Sequence, residues 1–250
     1  MNEKNYNVMS ITRISGAFMA YLIGSGFATG QEGLQFFVSF GFNGLIGCLF
    51  SLTILIYACN TLLNVGHKHN IRKNEDVFVY FCGKYIGKFL TWYTMTFIVA
   101  VYAIMLSGTG ATLQQYYGVP GYVGAILMAV LSGGTLLLGL RKIVNIIAII
   151  GPVIVLFTVV ISILAIVVIS ILAIVENPTA IVTGAEKTTS LDMLKASPNW
   201  VLSALLYAGL MIPGLASFLP AIGANSKRSK DIKYSSLFGP ILFIGSLFLL

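Results

Sequence analysis

Apolar residues fill this chain in blocks as long as a lipid bilayer is thick, and polar residues gather in the short gaps between them. A helix needs about 20 predominantly apolar residues to cross the hydrocarbon core. On that measure the pattern predicts seven spans, at roughly 13–40, 42–65, 86–113, 120–139, 143–175, 199–222 and 234–250. The stretch 75–84 is patterned differently, charged at its ends around Val77, Phe78 and Phe81, and predicts a short helix lying at the interface before the third span. The fold class that follows is an all-α polytopic membrane protein, with one transmembrane domain over 1–250.

Two blocks carry interruptions. In the first, Gly24-Ser25-Gly26-Phe27-Ala28-Thr29-Gly30-Gln31-Glu32 brings three glycines together and then an amide and a carboxyl. Each glycine in a helix interior costs about 0.5–1 kcal/mol relative to alanine, so this stretch predicts backbone leaving the helix. Freed N–H and C=O groups at membrane depth are tolerated only against protein, water or a ligand, which makes the stretch a candidate substrate or ion site. The sixth span holds Tyr207-Ala208-Gly209-Leu210-Met211-Ile212-Pro213-Gly214. Counting about ten residues at 1.5 Å each, outward from Arg13 and inward from Trp200, brings both interruptions to the middle of a core about 30 Å thick. Broken spans entering from opposite sides, with four unbroken spans between, are the arrangement of a five-helix unit, 1–175, followed by the start of an inverted copy, 199–250. Glycine and proline also serve close packing in membrane helices, and that reading of Gly209 and Pro213 stays open.

Composition agrees with the pattern: 57% of residues are hydrophobic and 9% charged, and the mean hydropathy is +0.91. A net charge of +7 raises the question of a nucleic-acid partner, but the basic residues sit in short loops beside the spans rather than on one soluble face. With the N-terminus inside, thirteen lysines and arginines are cytoplasmic and only Lys187 and Lys195 are external. The expected setting is therefore a plasma membrane of bacterial type, with a cytoplasmic N-terminus, the lipid bilayer as partner and no nucleic acid. Residues 1–10 contain Glu3 and Lys4 and no short apolar run, so no cleaved leader is expected.

Cys48, Cys59 and Cys82 fit neither a metal spacing nor a disulfide set, and are expected to be buried thiols. His67 and His69 lie in a polar stretch without further ligands, so no metal is expected. No nucleophile or acid–base cluster occurs in the spans, which argues against an enzyme.

Candidate chemistry gathers around the first interruption. Glu32 is the only acidic residue within a predicted span, about 12 Å outward of Gly24. Such groups usually face a cavity and mark ion or proton pathways; a structural hydrogen bond to span six and an interfacial position are the alternatives. The backbone donors of Ser25, Gly26 and Phe27, near the N-terminal end of the outer half-helix, suit an anionic group of a substrate. Tyr207 and Met211, with Phe27, can wall a substrate side chain, and ordinary packing is the competing account of both. Gly24 and Gly209 complete the candidate binding set, and Arg13 at the inner mouth is a candidate gate.

Ile11-Thr12-Arg13, the run from Gly24 to Gly33, and Leu219-Pro220-Ala221-Ile222-Gly223 together resemble the YkvI-like membrane proteins. That group is allied to the amino-acid/polyamine/organocation permeases with the LeuT fold. The resemblance covers essentially the whole chain and implies discontinuous helices one and six. It also implies that amides at Ser25, Gly26 and Phe27 hold a substrate carboxylate. The LeuT fold has ten core helices, of which about seven are expected here. The expected function is a secondary transporter of an amino acid or related small organic amine, coupled to a Na+ or H+ gradient and needing no other cofactor. A membrane binding or sensor protein that keeps the fold without transporting is the alternative.

Two further features bear on the length of the chain. Residues 159–166 are repeated at once as 167–174, so 143–175 would be about 50 Å long as one helix. A tandem duplication is expected there. The chain also ends within apolar sequence after two helices of the inverted copy, and the expectation is that these 250 residues alone do not transport.

Overall fold

A computed structural model describes residues 7–24, 27, 30–137, 153, 156, 157, 159–161, 163, 164, 195–226 and 228–249. Among these residues the fold is helical without strands. The elements are α1 (Val8–Leu22), α2 (Gln31–Phe36), a 3-10 turn (Val38–Phe40), α3 (Phe42–His69), α4 (Asn74–Tyr117), α5 (Gly121–Leu136), α6 (Trp200–Asn225) and α7 (Ser229–Leu249). Three of them, α3, α4 and α6, are long and apolar enough to cross a membrane. The predicted spans two, three and six fall on these three helices, and the fourth and seventh fall on α5 and α7. The fifth span and its octapeptide repeat lie outside the described residues, apart from eight positions that are helical.

Local chemistry explains the helix limits. Asn7 caps α1 by accepting the Met9 N–H at 3.1 Å, and Asn199 caps α6 by accepting the Val201 N–H at 2.9 Å, each satisfying an otherwise orphaned donor. The chain reverses between α2 and α3 within a few residues. It can do so because Gly41 takes φ 59° and because any side chain at Gly44 would overlap the Phe37 carbonyl. Gly83, at φ 75° and ψ 175°, bends α4 into a short first arm and a long second one, so the interfacial helix expected at 75–84 and the third span are one element with an elbow.

His67 and His69 belong to the last turn of α3 instead of a loop. His69 is held there by a ring contact with Tyr80 at 4.9 Å between centroids. Cys48 and Cys59 are buried, but Cys82 is exposed beside the Gly83 bend, contrary to expectation. At an elbow the residue before the turn has no helix packed over it.

The helices associate as a bundle of α1, α3, α6 and α7, with α4 and α5 forming a hairpin at its side. Lipid tails are as apolar as leucine, so helices in a bilayer are held by close packing and interhelical hydrogen bonds rather than by hydrophobic exclusion. Both are present where α3 crosses α6. Side chains at Gly66 and Gly223 would overlap the backbones of Pro220 and Leu63, and Ser51 donates to the Ala204 carbonyl at 3.0 Å. The α1–α7 contact is built the same way, with Gly239 against the Phe18 ring, Ser15 donating to the Ser235 carbonyl at 3.5 Å and Ser235 donating to the Ile11 carbonyl at 3.4 Å.

Candidate functional site

Helical geometry is lost twice in the first span. Ile23 turns extended (φ −72°, ψ 108°) after Leu22, and Gly30 enters the left-handed region (φ 70°) before Gln31. Between them Phe27 is helical, while Ser25, Gly26, Ala28 and Thr29 lie outside the described residues. The substrate-carboxylate role assigned to Ser25 and Gly26 is therefore left where the sequence put it.

The second piece of the first span, α2, is fastened to the sixth span and the segment just before it. Its last carbonyls have no helical partner of their own. Gln35 O instead accepts the Ala196 N–H at 3.1 Å, and Phe36 O accepts the Ser203 hydroxyl at 2.8 Å. The Tyr207 hydroxyl donates to the Glu32 carboxylate at 3.5 Å. The Tyr207 ring is fully buried between Phe36 and Phe37, whose centroids are 5.2 and 5.1 Å away. Further in, the Tyr21 ring packs on Phe218 at 4.5 Å and occupies the space over Gly214. Span one and α6 therefore run antiparallel in register, residue 21 beside 214–218 and residues 32–37 beside 203–207. Between these two contacts the described residues are Ile23, Gly24, Phe27 and Gly30 on span one and 208–213 on α6.

One expectation fails in that interval. The sixth span was expected to break at 208–213, yet α6 is a single helix from Trp200 to Asn225 with Pro213 and Pro220 inside it. A proline removes one N–H from the ladder without forcing the chain out of helical dihedrals. One turn on, the Ser217 hydroxyl donates back to the carbonyls of Pro213 at 3.1 Å and Gly214 at 2.9 Å. Gly214 thus serves close packing on the surface of a continuous helix, against the Tyr21 ring.

Of the residues singled out, the structure brings Glu32 and Tyr207 together and places the others separately. Phe27 is buried and stacks on Phe243 of α7 at 5.3 Å, so its wall is completed by α7 rather than by Tyr207. Gly24 faces α4, where an added Cβ would meet the Met105 methyl at 3.1 Å. Met211 is buried in the core cluster. Gly209 lies on the exposed side of α6, with open space where a side chain would be. Arg13 is exposed on α1, and no acidic side chain pairs with it among the described residues.

The residue that sequence reasoning missed is Asp231. It lies in the first turn of α7, is only 2% exposed, and accepts the Asn7 N–H at the start of α1 at 2.9 Å. Its sequence signal was slight: an acid in the first turn of a helix, which the helix dipole favours, placed just outside the apolar block.

Sequence comparison agrees with the resemblance carried by the Gly24–Gly33 run. The chain is 20% identical over 230 residues to the uncharacterized membrane protein YkvI of Bacillus subtilis (strain 168), covering 92% of this chain and 62% of that protein. It is also 24% identical over 224 residues to the uncharacterized protein YyaD of the same organism, covering 89% of this chain and 59% of that protein. The chain thus spans about three fifths of the length of these relatives. No protein-family model matches it, and no solved structure does.

Proposed function

We propose that this chain carries the central site of a secondary transporter for an amino acid or a related small organic amine, driven by a proton or sodium gradient across the plasma membrane, with the N-terminus cytoplasmic. The observation that carries the reading is the pair of contacts that the first span makes with α6 before and after the interval 23–30, the second of which seats the Glu32 carboxylate on a buried phenol. A carboxyl group in a span is costly and usually belongs to an ion or proton path.

The bundle adds a second line of support. Exchanging span one with six and span two with seven turns the α3–α6 contact into the α7–α1 contact, and both use a glycine close approach and serine-to-carbonyl bonds. Such an exchange is what inverted repeats of the LeuT type would produce, with spans one and six as the paired central helices. On this reading the chemistry is translocation, with no covalent step. Backbone donors of the interval hold the anionic end of the substrate, and Glu32 exchanges a cation as the outer half-helix moves.

A second reading, a membrane binding or sensor protein without transport, is favoured by the continuity of α6 across 208–213. Reconstitution of a full-length homologue into proteoliposomes with radiolabelled amino acids decides between them. Saturable accumulation that collapses when the proton or sodium gradient is dissipated is the expected result. Saturable binding without uptake moves the assignment to the sensor reading, and the absence of both sinks the site.

A further inference from the structure

The elbow of α4 borders an open cleft of about 230 Å³ lined by Glu75 from the short arm and by Lys88, Thr91, Trp92 and Met95 from the long one. The two arms meet closely, since a side chain at Gly87 would overlap the backbone of Phe78 and Val79. Lys88, Thr91, Trp92 and Met95 follow one another at helical spacing along a single face. Glu75 and Lys88 are both exposed, and they line this one cleft without forming an ion pair with each other. Opposite charges that share a cleft and stay apart leave room for a molecule carrying both signs between them. Beside Glu75, Asn74 Oδ1 is buried without a hydrogen-bond partner, so the protein does not satisfy the polar groups of this elbow by itself.

The position of the cleft selects the source of such a molecule. Its lining begins at the basic end of the third span, near in sequence to Lys68 in the last turn of α3, Arg72 and Lys73 in the connection to α4, and Lys84 beside the elbow, a charge pattern that belongs at the depth of lipid headgroups. Trp92 is 73% exposed and continues outward from the charged pair, as the aromatic belt of a membrane interface does. Met95, half exposed, is one turn further along the span.

We propose that the Gly83 elbow is a binding site for the headgroup of an amine-bearing zwitterionic phospholipid. Its phosphate rests on Lys88, its ammonium sits between the Glu75 carboxylate and the face of Trp92, and its acyl chains run down past Met95. Carboxylate and indole both favour an ammonium ion over a neutral group. A uniformly basic site would prefer anionic lipid, and the placement of Glu75 opposes that preference.

The test is retention of lipid by the full-length chain in detergent, followed by native mass spectrometry after exchange into mixtures of phosphatidylethanolamine and phosphatidylglycerol. The intact chain is expected to keep phosphatidylethanolamine preferentially. Glu75→Gln is expected to weaken that retention about tenfold, the size of one charge-assisted contact, and to raise retention of phosphatidylglycerol. Lys88→Gln is expected to weaken both. Equal retention of phosphatidylethanolamine by Glu75→Gln and the parent overturns the proposal, as does a preference of the parent for phosphatidylglycerol. Competition by millimolar soluble phosphoethanolamine would show a free zwitterion to be the occupant, and overturns the lipid assignment. Trp92→Leu, which keeps the surface apolar, serves where Glu75→Gln fails to fold: it should reduce phosphatidylethanolamine retention alone.

Discussion

Spans one and six are both rich in glycine, yet the first leaves the helix at Ile23 and again at Gly30, while the sixth stays helical from end to end. The difference lies in what each glycine does. In span one, Gly30 adopts a left-handed backbone with nothing near it, so its freedom of conformation is what is used. In span six, Gly214 and Gly223 keep helical dihedrals and are small because the Tyr21 ring and the Leu63 backbone lie against them. Membrane helices thus use the same residue for two purposes, and only the neighbours distinguish them. The polar partners divide in the same way: Glu32 follows the irregular segment, and Tyr207 is presented from the rigid one.

Breaking the link between the two regions should have the largest effect. Glu32→Gln keeps the shape and a hydrogen-bond acceptor but fixes the group in a neutral form. Gradient-driven accumulation should fall to background in a flux assay while substrate binding, measured by scintillation proximity, persists. Accumulation equal to that of the parent would reduce Glu32 to a structural tie between α2 and α6.

The packing glycines come next. Gly66→Ala and Gly223→Ala each force a Cβ into backbone across the α3–α6 contact, and overpacking of this kind costs about 1–3 kcal/mol. Thermal unfolding in detergent, followed by fluorescence-detected size exclusion, should show both midpoints lowered. An unchanged midpoint for either would mean that the two helices are further apart than described.

The conformational glycine should cost somewhat less. Gly30→Ala meets no neighbour, but a left-handed residue with a Cβ is strained by about 1–2 kcal/mol, so the same unfolding assay should show a modest loss. Activity should fall with it if the angle between α1 and α2 positions Glu32.

Gly209→Ala sharpens the comparison from the other side and has the smallest effect. The site is helical, exposed and empty, so alanine should be neutral or stabilise by about 0.5–1 kcal/mol. A marked loss of stability would place a partner on that face of α6; unchanged stability with lost uptake would restore Gly209 to the binding site.

By itself the sequence determined that this is a membrane protein built of long apolar helices. Runs of about 20 apolar residues, and polar clusters between them, are properties of contiguous residues and need no partner to be read. The bend at Gly83 lies within the reach of local pattern for the same reason, since an amphipathic stretch gave way there to an apolar one. Only the tertiary structure decided that α6 is continuous, because whether a glycine marks flexibility or contact depends on what lies across from it: at 223 this is Leu63, 160 positions away in sequence. It also decided that Asp231 is buried and that Glu32 meets Tyr207. The sequence marked Glu32 as an acid within a span and gave almost no sign of Asp231; the partners of both are supplied by helices distant along the chain, whose approach is set by small residues on both surfaces and by the hydrogen bonds that close packing permits.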